Sequence, residues 1–108
     1  MNLNPEPLEL IKSGLKNIEM RLYDKKRRTI LKGDIIIFTN AKDYNDKLKV
    51  KVLELHRFDS FDKLYKVFNK IQLGYSEMEV ALPSDMESYY SKEDIEKYGV
   101  VGIEIELI

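Results

Sequence analysis

The sequence predicts an α+β fold: a mixed or antiparallel sheet of about five strands, partly closed into a barrel, with helices at its periphery. Three observations point there. Residues 17–23 and 100–108 alternate polar with apolar, the two-residue period of half-buried strands. In residues 48–55, Leu48, Val50 and Val52 alternate with Lys49 and Lys51, and the apolar phase then slips by one at Leu53 and Leu55. Such a slip is what a β-bulge produces, and bulges bend sheets towards closure. Finally, Phe61, Leu64, Tyr65, Phe68 and Ile71 recur at helical spacing behind Ser60, a good N-cap.

Composition narrows the function. The chain has 108 residues, 44% of them hydrophobic, enough for one domain over 1–108 with a modest core. Its 18 basic and 19 acidic residues nearly cancel, so no overall field draws it to nucleic acid or membrane, and an anionic partner must be held by a local patch. With no cysteine there is no disulfide scaffold or thiolate nucleophile, and with His56 as the only histidine no metal site is expected. No cofactor is expected either. The start, Met1 to Pro5, lacks a basic and apolar leader, and no run reaches the roughly 20 apolar residues of a membrane span. A soluble, cytoplasmic protein is expected.

In chain order, Asn4-Pro5-Glu6-Pro7 starts a helix whose Leu8, Ile11 and Leu15 share one side, and Gly14 closes it. From Asn17 a strand puts Ile18, Met20 and Leu22 towards the core and Glu19, Arg21 and Tyr23 on the other face. Residues two apart on one face lie about 7 Å apart, close enough for Glu19 and Arg21 to touch or to grip one ligand. Lys25, Lys26, Arg27 and Arg28 form an exposed basic loop. Lys32 to Asp34 turns into Ile35–Phe38, which is apolar on both faces and reads as a central strand. Ala41 to Lys47 reads as a hairpin connection with an Asn45-Asp46 turn. The helix from Phe61 runs to Leu73-Gly74. Met78 to Leu82 is ambiguous and includes the option of a short strand. Ser84-x-x-Glu87 and Ser91-x-x-Asp94 resemble capping boxes, the second opening a helix that ends near Gly99. The last strand turns Ile103, Ile105 and Leu107 inward.

The run Gly14-x-Lys16-x-x-Glu19-x-Arg21 resembles the GxKxxExR signature of the ASCH (activating signal cointegrator homology) domain, which is similar to the PUA superfamily of small RNA-binding β-barrels. The context agrees: a helix before, a basic segment and a Gly33-Asp34 strand start after, and an apolar last strand. The resemblance implies a PUA-like barrel over the whole chain and a charged cleft at Lys16, Glu19 and Arg21. RNA or a nucleoside or nucleotide is the implied partner, with neither membrane nor metal, and the oligomeric state is left open. A carboxylate accepts from an exocyclic amine, while lysine and arginine hold phosphate or an oxyanion. Tyr23 or Tyr90 offers a ring for stacking, Ser91 is a further contact candidate, and Lys25 to Arg28 supply phosphate contacts without sequence information.

The same residues have plainer readings: Glu19 with Arg21 as a rim ion pair, Lys16 as a helix-end lysine, the tyrosines as core-rim residues, Ser91 as an N-cap, and Thr39 and Asn40 as a strand end. A protein-interaction domain without ligand chemistry is the plainest whole. Similar small bacterial enzymes hydrolyse N(4)-acetylcytidine with a lysine, a threonine nucleophile and a glutamate. Lys16 matches that lysine, while Glu19 stands at the threonine position. The alternative function is thus an amidohydrolase of acylated cytidine in which Glu19 activates water and Lys16 steadies the oxyanion. Glu87 and Glu93 lie in the part of the chain where that glutamate belongs.

Overall fold

In the computed structural model, which describes residues 1–108, a five-stranded mixed sheet curls into a half-barrel. Its strands are β1 (Asn2–Leu3), β2 (Ile18–Leu22), β3 (Ile35–Asn40), β4 (Asp43–Phe58) and β5 (Val100–Leu107), in the order β1-β3-β4-β5-β2. All neighbours are antiparallel except β1 and β3. The helices are α1 (Pro5–Lys12), α2 (Phe61–Val67) and α3 (Lys92–Tyr98), with short 3-10 turns at Arg27–Thr29 and Pro83–Ser88. This is the α+β, PUA-like architecture expected.

α1 forms where the two prolines occupy its first turn, and it buries Leu8 and Ile11 against the sheet. Gly14 takes φ 81°, open to a residue without Cβ, and the chain reverses there so that the Leu15 and Lys16 N–H groups both donate to the Leu10 carbonyl. Leu15 lies beyond that reversal and is exposed rather than on the core side.

The bulge is where the apolar phase slips. β4 and β5 pair Val52 with Ile105 and Glu54 with Glu104, leaving Leu53 unpaired. Two apolar clusters fill the fold. One, with Phe38, Val50, Val52, Val101 and Ile103, lies under α1; the other gathers Ile18, Met20, Leu22, Leu64, Leu73, Met86 and Val100 beneath α2 and the Pro83–Ser88 turn. No helix is long and apolar enough to cross a membrane.

Several local expectations are corrected. β1 carries no readable period at two residues, and its parallel pairing to β3 completes an edge that the sequence conceals. The β3–β4 turn falls at Ala41-Lys42 rather than Asn45-Asp46, because the Asn40 side-chain oxygen accepts from the Lys42 N–H and tightens the reversal earlier. β3 has a neighbour on each side, as a central strand should, yet Ile35 and Ile37 are exposed because nothing covers the outer face of the sheet. α2 stops at Val67, six residues before Leu73, because Asn69 and Gln72 exchange side-chain-to-backbone hydrogen bonds that compete with the helix. Residues 78–82 form no strand.

Candidate functional site

The sheet does not close between its two edge strands, β1 and β2, and a cleft of about 1060 Å³ occupies that seam. Its walls are β1 and the start of α1 on one side and residues 73–90 on the other. Its floor is the charged group that the signature spacing brings together. Gly14 reverses the chain, Lys16 follows, and β2 then presents Glu19 and Arg21 from one face.

Glu19 Oε1 lies 3.0 Å from Lys16 Nζ. Its other oxygen, Oε2, accepts from Arg21 Nε at 3.0 Å and Arg21 Nη2 at 2.8 Å. Nη2 also donates to the Asn2 carbonyl at 3.0 Å, so the guanidinium bridges the two unpaired sheet edges. Lys16 and Glu19 are buried, at 7% and 4% exposure. Glu19, on the face of β2 opposite the apolar one, is therefore enclosed as well. Burial pushes the Glu19 carboxyl up, but the charges of Lys16 and Arg21 outweigh it and hold the group below the usual carboxylate range. At neutral pH the floor carries two cations and one anion.

Leu73 and Gly74 seat the lysine. Lys16 Nζ donates to the Leu73 carbonyl at 3.4 Å, and a Cβ at Gly74 would lie 3.0 Å from Lys16 Cδ on a backbone at φ 103°. Only glycine fits that place without moving the lysine. The same segment is tied to β2, since the Gln72 carbonyl accepts from both Asn17 and Ile18 N–H groups.

Of the other candidates, Tyr90 lines the cleft, but its ring lies 6.2 Å from Phe61 at an interplanar angle of 13°, one face already stacked. Burial raises its phenol pKa. Neighbouring Tyr89 also lines the cleft and is 69% exposed, which makes it the freer platform. Tyr23 does not line the cleft; the guanidinium groups of Arg28 and Arg57 lie 4.8 Å and 5.4 Å from its ring centroid. Ser91 also lies outside, where its Oγ accepts from the Asp94 N–H and caps α3. In the basic loop, Arg27 pairs with Asp24 and Arg28 donates to the Tyr23 carbonyl, leaving Lys25 and Lys26 exposed without a partner. His56 bonds Glu104 on the sheet, and buried Asn40 serves the hairpin. Glu87 faces a second, smaller hollow near Lys92, and Glu93 is exposed on α3.

Three carboxylates that sequence reasoning passed over do line the cleft: Glu6, Glu79 and Asp85. Asp85 Oδ2 accepts from Tyr75 OH at 2.8 Å, and that hydroxyl lies 2.7 Å from Tyr65 OH. Burial first, then the Tyr65 and Asp85 partners, push the Tyr75 phenol well above the usual tyrosine range, so it stays a protonated donor. An acid two residues after Pro83 was the one available signal for Asp85, whose carboxylate accepts from the Leu82 N–H as the turn begins.

The family model described as ASCH domain matches residues 1–108. Among solved structures, the chain is similar to the crystal structure of hypothetical protein PH0355, at 41% identity and a TM-score of 0.83, covering 100% of this chain and 96% of that one. It is also similar to the solution NMR structure of protein PF0455 from Pyrococcus furiosus, at 39% identity and a TM-score of 0.71, covering 100% and 94%. No curated protein matches.

Proposed function

Since the chain belongs to the ASCH domain family, we propose that it binds single-stranded RNA or a modified nucleoside in the cleft between β1 and β2. The observation that supports this most is the buried Lys16–Glu19–Arg21 group at the cleft floor. Burying three charges is costly, and a soluble barrel gains nothing in stability that apolar side chains could not supply. A ligand explains the arrangement. The floor keeps an excess positive charge, and Arg21 Nη1 makes no hydrogen bond within the chain. A phosphate or carbonyl oxygen can therefore be held against it while Tyr89 stacks on a base. Lys25 and Lys26 extend this with phosphate contacts outside the cleft, and Tyr23 and Ser91 drop out as direct contacts.

Hydrolysis of acylated cytidine would require Glu19 to take a proton from water. General bases work best with a pKa near the operating pH, and the two cations move Glu19 the other way. Recognition is thus favoured over proton abstraction. A fluorescence-anisotropy titration with a labelled single-stranded octaribonucleotide tests the function. Binding should weaken steeply with salt, and Arg21→Ala should weaken it about tenfold or more, the loss of a charge-assisted hydrogen bond. No binding to RNA or free nucleosides at about 50 mM salt would overturn the proposal.

A further inference from the structure

β2 is an edge strand, and its hydrogen-bond parity leaves one main-chain pair open inside the cleft. Two bonds at the ends of the β2–β5 ladder set the parity. Ile105 N–H donates to the Asn17 carbonyl, and Tyr23 N–H donates to the Gly99 carbonyl, both at 3.0 Å. Odd-numbered residues of this strand therefore bond β5, and the N–H and C=O of Ile18, Met20 and Leu22 point to the opposite edge. No strand lies there, because β2 ends the sheet.

The edge is blocked on both sides of Met20. Ile18 N–H already donates to the Gln72 carbonyl, and the Arg21 guanidinium crosses to the Asn2 carbonyl. Leu22 lies past that crossing and does not line the cleft, whereas Met20 does. No turn, loop or side-chain hydrogen bond reaches the Met20 N–H or C=O. A donor and an acceptor belonging to one buried residue are thus unpaired at the wall of an open cleft, beside Lys16, Glu19 and Arg21. Backbone groups so placed pair with water or with a ligand that displaces it.

We propose that the Met20 main chain reads a base edge: its N–H and C=O pair with an adjacent acceptor and donor on a planar nucleobase. This inference rests on the cleft being a nucleoside or RNA site. The window is one residue long, which suits the two-point edge of a heterocycle and is too short for an added peptide strand, whose pairing needs several successive open residues. A sugar phosphate has no such planar donor–acceptor edge. The Lys16–Glu19–Arg21 floor then takes the ligand's remaining oxygen atoms, and selectivity between base and bare phosphate comes from the backbone.

Amide hydrogen exchange by NMR on the full-length protein tests this. In the free protein Met20 N–H should exchange at least tenfold faster than the Glu19 and Arg21 amides, which donate within the ladder. Saturation with a nucleoside 5′-monophosphate (uridine, cytidine, adenosine and guanosine monophosphates in turn) should slow Met20 exchange at least tenfold for one or more bases. Ribose 5-phosphate should leave it unchanged. Met20→Pro removes the donor without removing a ladder bond, as edge strands tolerate, but also shortens a buried side chain, so Met20→Ala, which shortens it and keeps the N–H, is the control. With both variants folded by circular dichroism, the proline variant should lose nucleotide affinity at least tenfold more than the alanine variant; equal loss in both would assign the effect to the side chain and overturn the proposal. Nucleotide binding with Met20 exchange unchanged would overturn it while leaving the cleft as a ligand site. No nucleotide or RNA binding by any measure would overturn both. Protection by a short alternating valine–threonine peptide, but by no nucleotide, would identify a strand-docking edge instead and equally overturn it.

Discussion

Glu19→Gln is the most informative single change, because it removes one charge from a buried set of three and keeps the shape. In the wild-type protein Glu19 is 4% exposed and its two oxygens are held by Lys16 at 3.0 Å and Arg21 at 2.8 Å. The neutral amide leaves Lys16, 7% exposed, beside the Arg21 guanidinium with no counter-charge. Stranding buried charge in this way costs about 3–5 kcal/mol. Against a total of about 5–15 kcal/mol for a domain of this size, that is a fifth or more of the stability. For about 100 residues each kcal/mol moves Tm by about 4–8 °C, so a drop of roughly 12 °C or more is expected at pH 7. The pH dependence has a definite sign. Glu19 is depressed in the folded state, so its contribution is present above the unfolded carboxylate pKa of about 4.3 and is lost as pH falls through the lower folded value. The gap between wild type and variant should therefore close below about pH 4. Urea unfolding followed by circular dichroism at pH 7 and pH 3 measures it. A difference under about 1 kcal/mol at pH 7, the worth of an exposed pair, would refute a buried, coupled floor.

Gly74→Ala forces a Cβ to within 3.0 Å of Lys16 Cδ on a backbone at φ 103°, so it should cost about 1–3 kcal/mol of stability and weaken RNA binding through the displaced lysine, read by thermal unfolding and anisotropy. Tyr89→Ala should weaken single-stranded RNA binding by about 1–3 kcal/mol with little change in Tm, whereas Tyr23→Ala should leave affinity unchanged. Replacing Lys25 and Lys26 together by alanine should lower the slope of log affinity against log salt by up to about 1.4 for single strands while leaving saturable binding in place. Ser91→Ala should cost about 1 kcal/mol through the lost α3 cap and leave affinity untouched, since its hydroxyl is engaged with the Asp94 N–H.

The parts legible from sequence were those set by local rules. Alternation gave β2 and β5, the phase slip gave the Leu53 bulge, and serine caps gave the starts of α2 and α3. The grouping of Lys16, Glu19 and Arg21 was also legible, because a glycine reversal and a two-residue strand period fix it within eight residues. What stayed hidden depends on distant chain. β1 has meaning only through β3, Gly74 matters only because Lys16 lies against it, and Tyr75 and Asp85 meet across an irregular loop with no period to read. Tyr23 alternates correctly yet leaves the cleft, since two arginines capture its ring. Alternation assigns a face and does not say what encloses it, which is why the burial of Glu19 was not foreseen.

The most direct measurement is a crystal structure of the protein with a nucleoside 5′-monophosphate. The base should lie in the seam between β1 and β2, its edge against the Met20 main chain, with a ligand oxygen within hydrogen-bond distance of Lys16 or Arg21. A nucleotide bound on the outer face of the sheet or on the Lys25–Arg28 loop, with the seam untouched, would contradict a ligand site built on the buried charges.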